Sequence, residues 1–289
     1  MKSGIAVGRV LATLFALWLA AAPGYAQQAP AGSKEYEPQS GQAGKDVVWV
    51  PTPDAVVDRM LRMARVGPND YVIDLGSGDG RTVIAAAKSF GARALGIEYN
   101  PDMVTLSIRN AEKAGVGDKV KFVKADLFET DFSQATVITM YLLPALNIKL
   151  RPKILDMRPG TRVVSHAFNM EDWQPDQTAT VDGRDAYFWI VPAKVAGRWK
   201  LALPAGNGAE NWEVVLEQQF QKLSGKAEYG GKSFKIVDAR MRGERIEFSF
   251  VDGNGVKRQF SGAARGNRME GTTQTQGAAS VKWTAARAA

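Results

Sequence analysis

Cysteine is absent from the 289 residues, so the chain can form no disulfide, no thiolate nucleophile and no thiolate metal site. Histidine is nearly absent. His166 stands alone, which argues against a histidine-built centre, and no metal site is expected. Dense runs of Arg or Lys are missing as well. The formal net charge is +7, but Lys2 and Arg9 supply two of those positives and the rest are dispersed, so no nucleic-acid footprint is indicated. Val10–Ala22, apolar apart from Thr13, is too short for an ordinary membrane span, and no transmembrane domain is expected in the mature chain. What is present is ordinary for a soluble globular protein, with 45% hydrophobic and 23% charged residues and enough length for two domains.

The first 26 residues read as a secretory signal peptide. Lys2 and Arg9 form a basic start, the apolar run follows, and Gly24-Tyr25-Ala26 supplies small residues at the cleavage positions, with Gln27 as the new N-terminus. A periplasmic or secreted protein is the expectation. The alternatives are an uncleaved inner-membrane anchor and a misread leader on a cytoplasmic protein. No cysteine follows the run, so lipid attachment there is excluded. Residues 27–46, rich in Gln, Ala, Gly, Ser and Pro, read as a disordered linker.

The most informative stretch is Tyr71–Arg81, YVIDLGSGDGR. Val72 and Ile73 mark a short buried strand, Asp74 ends it, and Gly76, Gly78 and Gly80 follow at every second position. An apolar helical pattern begins at once with Val83, Ile84, Ala86 and Ala87. Strand, glycine turn and helix form a ligand-binding corner of an α/β sheet. A dinucleotide site needs G-x-G-x-x-G, so that a pyrophosphate can rest on the helix N-terminus. Here the spacing is G-x-G-x-G, with carboxylates at Asp74 and Asp79, which suits a ligand with a cationic centre and no phosphate.

Alternating strands and helices continue. Ala94–Tyr99 is the second strand, with Glu98 at its carboxyl end, placed to accept hydrogen bonds from both hydroxyls of a ribose. Val120–Val123 is the third. Asp126 follows it, placed to accept from an exocyclic amine, with Leu127 or Phe128 against a purine face. Thr136–Met140 is the fourth strand and leads into Tyr141-Leu142-Leu143-Pro144. Asn147 opens the next helix, and His166 ends the fifth strand. Tyr141, Asn147 and His166 are the candidate catalytic residues: a hydroxyl and ring to orient a cationic amine, a second polar group, and a proton acceptor. Gln177–Val181 and Tyr187–Val191 form a hairpin about Asp182-Gly183.

VIDLGSGDGR closely resembles the first motif of the class I S-adenosylmethionine-dependent methyltransferases. With GIEYNPDMV, KADLF-x-x-D, YLLP, LRPKILDMRPGTRVVSHAF and DW-x-P, residues 47–175 resemble the lysine-methyltransferase group that modifies the ATP synthase c subunit and the mitochondrial carrier. The resemblance implies a seven-stranded Rossmann-like sheet over 47–193 and S-adenosylmethionine as cofactor. It places the methionine part against Asp74, Gly76, Ser77, Gly78 and Gly80, the ribose on Glu98, and the adenine at Asp126 and Leu127. It also implies an amine acceptor such as a protein lysine. The export signal and an extra C-terminal region set this chain apart from that group.

After Ala193 the pattern changes to strand after strand with glycine turns. Trp199, Leu201 and Leu203, then Trp212, Val214 and Leu216, then Ile246, Phe248 and Phe250 alternate with polar or small residues. Residues 194–285 are therefore expected as a small antiparallel β domain, closed as a barrel or folded as a sandwich, with 286–289 as a frayed tail. Two functions stay open: a methyltransferase whose β domain positions substrate, dimerises or attaches the enzyme, and a non-catalytic envelope binding or structural protein on a methyltransferase fold.

Overall fold

Strand β1 (Tyr71–Leu75) is where the two faces of the first core meet. Val72 packs to one side and Ile73 to the other, as period-two geometry requires, and all but its first residue are buried. The computed structural model describes residues 36–205, 208–275 and 279–288. The signal-peptide expectation, and the first part of the linker, fall outside them.

Around β1 run β2 (Arg93–Glu98), β3 (Val120–Lys124), β4 (Val137–Met140), β5 (Arg162–His166), β6 (Gln177–Val181) and β7 (Arg184–Ile190). Their order across the sheet is β3-β2-β1-β4-β5-β7-β6. The first five are parallel, and β7 pairs antiparallel with both β5 and β6. The expected seven-stranded sheet with its final hairpin is therefore present. Because β1 lies between β2 and β4, the chain reverses its direction of travel there, and the crevice outside the carboxyl ends of β1 and β4 is the natural ligand position. Side chains from α1 (Asp54–Met63), α2 (Arg81–Phe90) and α3 (Pro101–Lys113) build the core on one face, and α4 (Pro144–Leu155) contributes to the other.

A second sheet holds β8 (Gly197–Ala205), β9 (Gly208–Gln219), β10 (Lys222–Tyr229), β11 (Lys232–Lys235), β12 (Val237–Arg242), β13 (Arg245–Val251), β14 (Lys257–Arg265), β15 (Arg268–Thr275) and β16 (Val281–Arg287). Neighbours follow the order β11-β10-β12-β13-β14-β15-β16-β8-β9, and β10 also pairs with β9, which closes the sheet as an antiparallel barrel. Its interior is filled by Trp199, Trp212, Trp283, Phe248, Phe250 and Phe260 among smaller apolar side chains. Phe248 and Phe260 stack at 4.6 Å with parallel rings.

Two terminal expectations are corrected. Within the described part of the linker, residues 41–45 are tied down: Gly41 donates to the Trp49 carbonyl over 2.7 Å, Trp49 donates back to Gln42 over 2.9 Å, and Lys45 is ion-paired with Asp126. At the other end β16 runs to Arg287. Its guanidinium donates to the Lys194 and Ala196 carbonyls over 2.9 and 2.6 Å and lies 4.4 Å from the Trp199 ring. Paired this way, residues 286 and 287 do not fray.

Candidate active site

A cavity of about 320 Å³ opens at the carboxyl ends of β1, β2 and β4, within the size range of small-molecule sites. Its floor is the glycine loop. Gly76, Gly78 and Gly80 have φ of 79°, 52° and 82°, a region that side-chain-bearing residues enter only at a cost. Space reinforces that demand at Gly78, where an added Cβ would lie 2.5 Å from the Trp49 indole nitrogen. The loop is fastened to β2, because the Gly76 and Ser77 N–H groups both donate to the Ile97 carbonyl, over 2.9 and 3.0 Å.

Asp74 is buried at the back of the cavity and accepts from Thr139 Oγ1 over 2.6 Å. Burial pushes its carboxyl up to about 7. The nearby Glu98 and Asp79 charges add to the rise, and the Thr139 hydroxyl opposes it. Among the described residues no cation is paired with Asp74. Asp79 differs: Arg81 Nη2 meets it at 2.6 Å, so the second carboxylate of the loop is already neutralised by its own neighbour. The pair of free acids expected from the sequence is therefore one free acid and one ion pair.

Glu98 lines the same cavity. Its Oε2 accepts from the Gly78 N–H and its Oε1 from the Asn100 N–H, each over 2.9 Å. Each oxygen keeps a further lone pair for a diol. Asp126 accepts from the Phe128 N–H over 2.8 Å and from Lys45. Hydrogen bonds from Lys45 and then Phe128 hold it below the ordinary carboxylate range. The Lys45 ammonium also lies 4.8 Å from the Tyr99 ring centroid. Leu127 lines the cavity, whereas Phe128 turns away beneath the Lys149 ammonium, 3.7 Å from its ring. Ser77 lines the cavity too, and among the described residues its buried Oγ has no hydrogen-bond partner.

The three candidate catalytic residues separate. Tyr141 lines the cavity beside Leu142, Leu143, Leu146 and Phe168. His166 stands behind it, with ring centroids 4.0 Å apart, and its Nδ1 is 3.1 Å from Thr52 Oγ1. Burial, helped by Arg184, lowers the imidazole to about 4, so it is neutral at ordinary pH. Asn147 is fully buried and does not line the cavity. Its Nδ2 donates to the Phe168 and Asn169 carbonyls over 3.3 and 3.2 Å. Of the three, only Tyr141 lines the cavity: Asn147 holds a loop, and His166 backs the tyrosine.

Sequence reasoning missed the arm before α1. Lys45, Val47–Val50 and Thr52 wall one side of the cavity, with Trp49 set over the glycine loop. A tryptophan within a short apolar run, immediately before Pro51, was the available signal. Phe168 was missed as well.

The residues fit S-adenosylmethionine. A bare glycine floor, a buried carboxylate with no cation paired to it among the described residues, and a second carboxylate with spare acceptors are what a cationic nucleoside would need. Comparison with known proteins agrees. Residues 74–177 match the family model described as the ANTKMT methyltransferase domain. A protein-lysine N-methyltransferase of Saccharolobus islandicus (strain REY15A) is 46% identical over 151 residues, covering 50% of this chain and 94% of that protein. The Mus musculus lysine N-methyltransferase of the ATP synthase c subunit is 39% identical over 180 residues, covering 61% and 68%. Among solved structures, an RNA methyltransferase from Salinibacter ruber in complex with S-adenosyl-L-homocysteine is 53% identical, covers 50% of this chain and 96% of that one, and has a TM-score of 0.50. The chain belongs to the class I S-adenosylmethionine-dependent methyltransferases, in the family of these protein-lysine N-methyltransferases, with S-adenosylmethionine as its cofactor.

Proposed function

We propose that this enzyme methylates the side-chain amine of a protein lysine. The observation that carries the reading is the cavity wall that follows β4: one tyrosine, Tyr141, set among Leu142, Leu143, Leu146 and Phe168. The archaeal and mouse relatives described above, both lysine N-methyltransferases by name, support it.

The cofactor supplies a methyl group carried on a sulfonium, and an amine with a free lone pair takes it. A lysine ammonium must first lose a proton, and its ordinary pKa is about 10.4. Apolar walls favour the neutral amine because they withdraw water from the charged form. Tyr141 offers a ring face to the cation that develops on nitrogen, and a hydroxyl to orient the amine. No proton acceptor needs to be built in, because the proton can leave to solvent before attack. Asp74, Glu98 and Asp126 hold the other end of the site.

The test is transfer of a tritiated methyl from S-adenosylmethionine to envelope and cytosolic fractions of the producing strain, each then separated into RNA and protein, with acid hydrolysis and amino-acid analysis of the protein. Label in Nε-methyllysines supports the reading. Label in RNA, the substrate class in the name of the Salinibacter ruber relative, or in no fraction at all, contradicts it. Export is part of the same proposal and rests on the 1–26 pattern. N-terminal sequencing of native protein should begin at Gln27, and a retained Met1 would contradict cleavage.

A further inference from the structure

The family model ends at residue 177, and the barrel begins at Gly197. One turn of that barrel reaches into the methyltransferase core. Between β9 and β10, Phe220 has φ of 55°, a left-handed conformation that strains a bulky residue. Its ring stacks on Trp173 with centroids 5.9 Å apart and planes 20° apart, and the Arg151 guanidinium lies 5.3 Å from it. Gln221 Nε2 donates to the Gln174 carbonyl over 2.6 Å. Gln218 braces the turn from behind, donating to the Phe220 and Ala193 carbonyls over 2.8 Å each.

What the turn grips is the segment between β5 and β6. That segment carries strain of its own, with Ala167 at φ 62° and Glu171 at φ 53°. It is pinned from α4, where Arg151 donates to the Met170 carbonyl over 2.9 Å and is ion-paired with Asp172. At one end it presents Phe168 to the cavity, and at the other it buries Trp173 against Phe220. A strained segment keeps one conformation only where its surroundings over-determine it.

We propose that the C-terminal barrel is a positioning element for the acceptor side of the active site, with Phe220 as the positioning residue that acts through Trp173 on Phe168. This rests on the reading of the Tyr141–Phe168 wall as the acceptor side. It gives the added domain a task that needs no ligand of its own.

The experiment compares wild type, Phe220→Ala and Phe220→Tyr in the full chain by three readouts. These are hydrogen exchange, S-adenosylhomocysteine calorimetry, and tritiated transfer to polylysine. Phe220→Ala should speed exchange across 167–176 by about tenfold or more and leave 71–81 unchanged. It should keep S-adenosylhomocysteine affinity within about twofold, and raise the KM for polylysine by roughly fivefold without a matching rise for S-adenosylmethionine. Phe220→Tyr should restore all three. Unchanged exchange over 167–176 in folded Phe220→Ala would overturn the proposal, as would cofactor affinity falling in step with acceptor KM. If wild type leaves polylysine unlabelled, the lysine reading suffers, and the exchange readout still decides the clamp. Should Phe220→Ala fail to fold, Gln221→Ala replaces it, with an expected increase of about twofold confined to 171–176.

Discussion

Asp70 and Asp74 bracket the same strand in opposite surroundings. Asp70, at the amino end of β1, is ion-paired with Arg162 and accepts from Thr136 Oγ1 over 2.7 Å and from the Gly67 N–H over 2.9 Å. Burial works against its charge, but the hydrogen bonds from Thr136 and Arg162 outweigh it, and the carboxyl lies below its ordinary range. Asp74, toward the carboxyl end, has hydroxyls and two neighbouring carboxylates, and is pushed up to about 7. Asp70 has its charge satisfied by a cation within the protein, whereas among the described residues Asp74 has none beside it. Such a division between stability and function is expected where a site must stay open.

The largest effect should come from breaking the satisfied edge. Asp70→Ala leaves the Arg162 guanidinium with only the Ala64 and Arg65 carbonyls as acceptors and removes the Thr136 acceptor, at a cost of about 3 kcal/mol. Urea melts should read that loss while S-adenosylhomocysteine affinity stays within about twofold. Next is Glu98→Ala on the open edge, which removes the carboxylate that is expected to accept from a diol and that fastens the Gly78 N–H. Calorimetry should show roughly a hundredfold weaker binding.

Asp74→Asn sharpens the comparison through pH. In wild type, cofactor affinity should rise by about tenfold between pH of roughly 6 and 8, as Asp74 loses its proton near 7. The variant should bind weakly with no such rise. Stability runs the other way. A carboxyl raised in the folded state contributes stability that is fully present below about pH 4 and lost as pH climbs through about 7. Asp74→Asn should therefore melt higher than wild type at pH 8, read by thermal scans. His166 has the reverse sign: its contribution is present above about 6.5 and lost as pH falls through about 4.

The smallest effect concerns Lys45, which holds the Asp126 oxygen expected to meet an adenine amine. Exchanging an exposed ion pair for a ligand hydrogen bond costs little. Lys45→Ala should tighten S-adenosylhomocysteine binding by roughly twofold to fivefold, measured by calorimetry at low salt.

The methyltransferase sheet was legible because its signals are local. The glycine spacing, the acids at strand ends and the alternation of periods each announce themselves within about ten residues. The barrel was half legible. β13 alternates Ile246, Phe248 and Phe250 inward and is readable, whereas β10, with Ala227 as its one fully buried apolar residue, is recruited by its neighbours β9 and β11 rather than by its own pattern. Long-range pairing of this kind leaves little trace in a strand's composition. The same holds for the site. Asp74 and Glu98 were readable from position. The Arg81–Asp79 pair, the arm carrying Trp49, and the barrel turn at Phe220 depend on which surfaces meet after folding.

Whether the open edge of β1 holds the cofactor is decided most directly by calorimetry of S-adenosylhomocysteine with the purified chain, Glu98→Ala and Asp70→Ala. Micromolar or tighter binding in wild type and Asp70→Ala, lost in Glu98→Ala, is the predicted result. Absence of binding in wild type, or equal binding in wild type and Glu98→Ala, would contradict it.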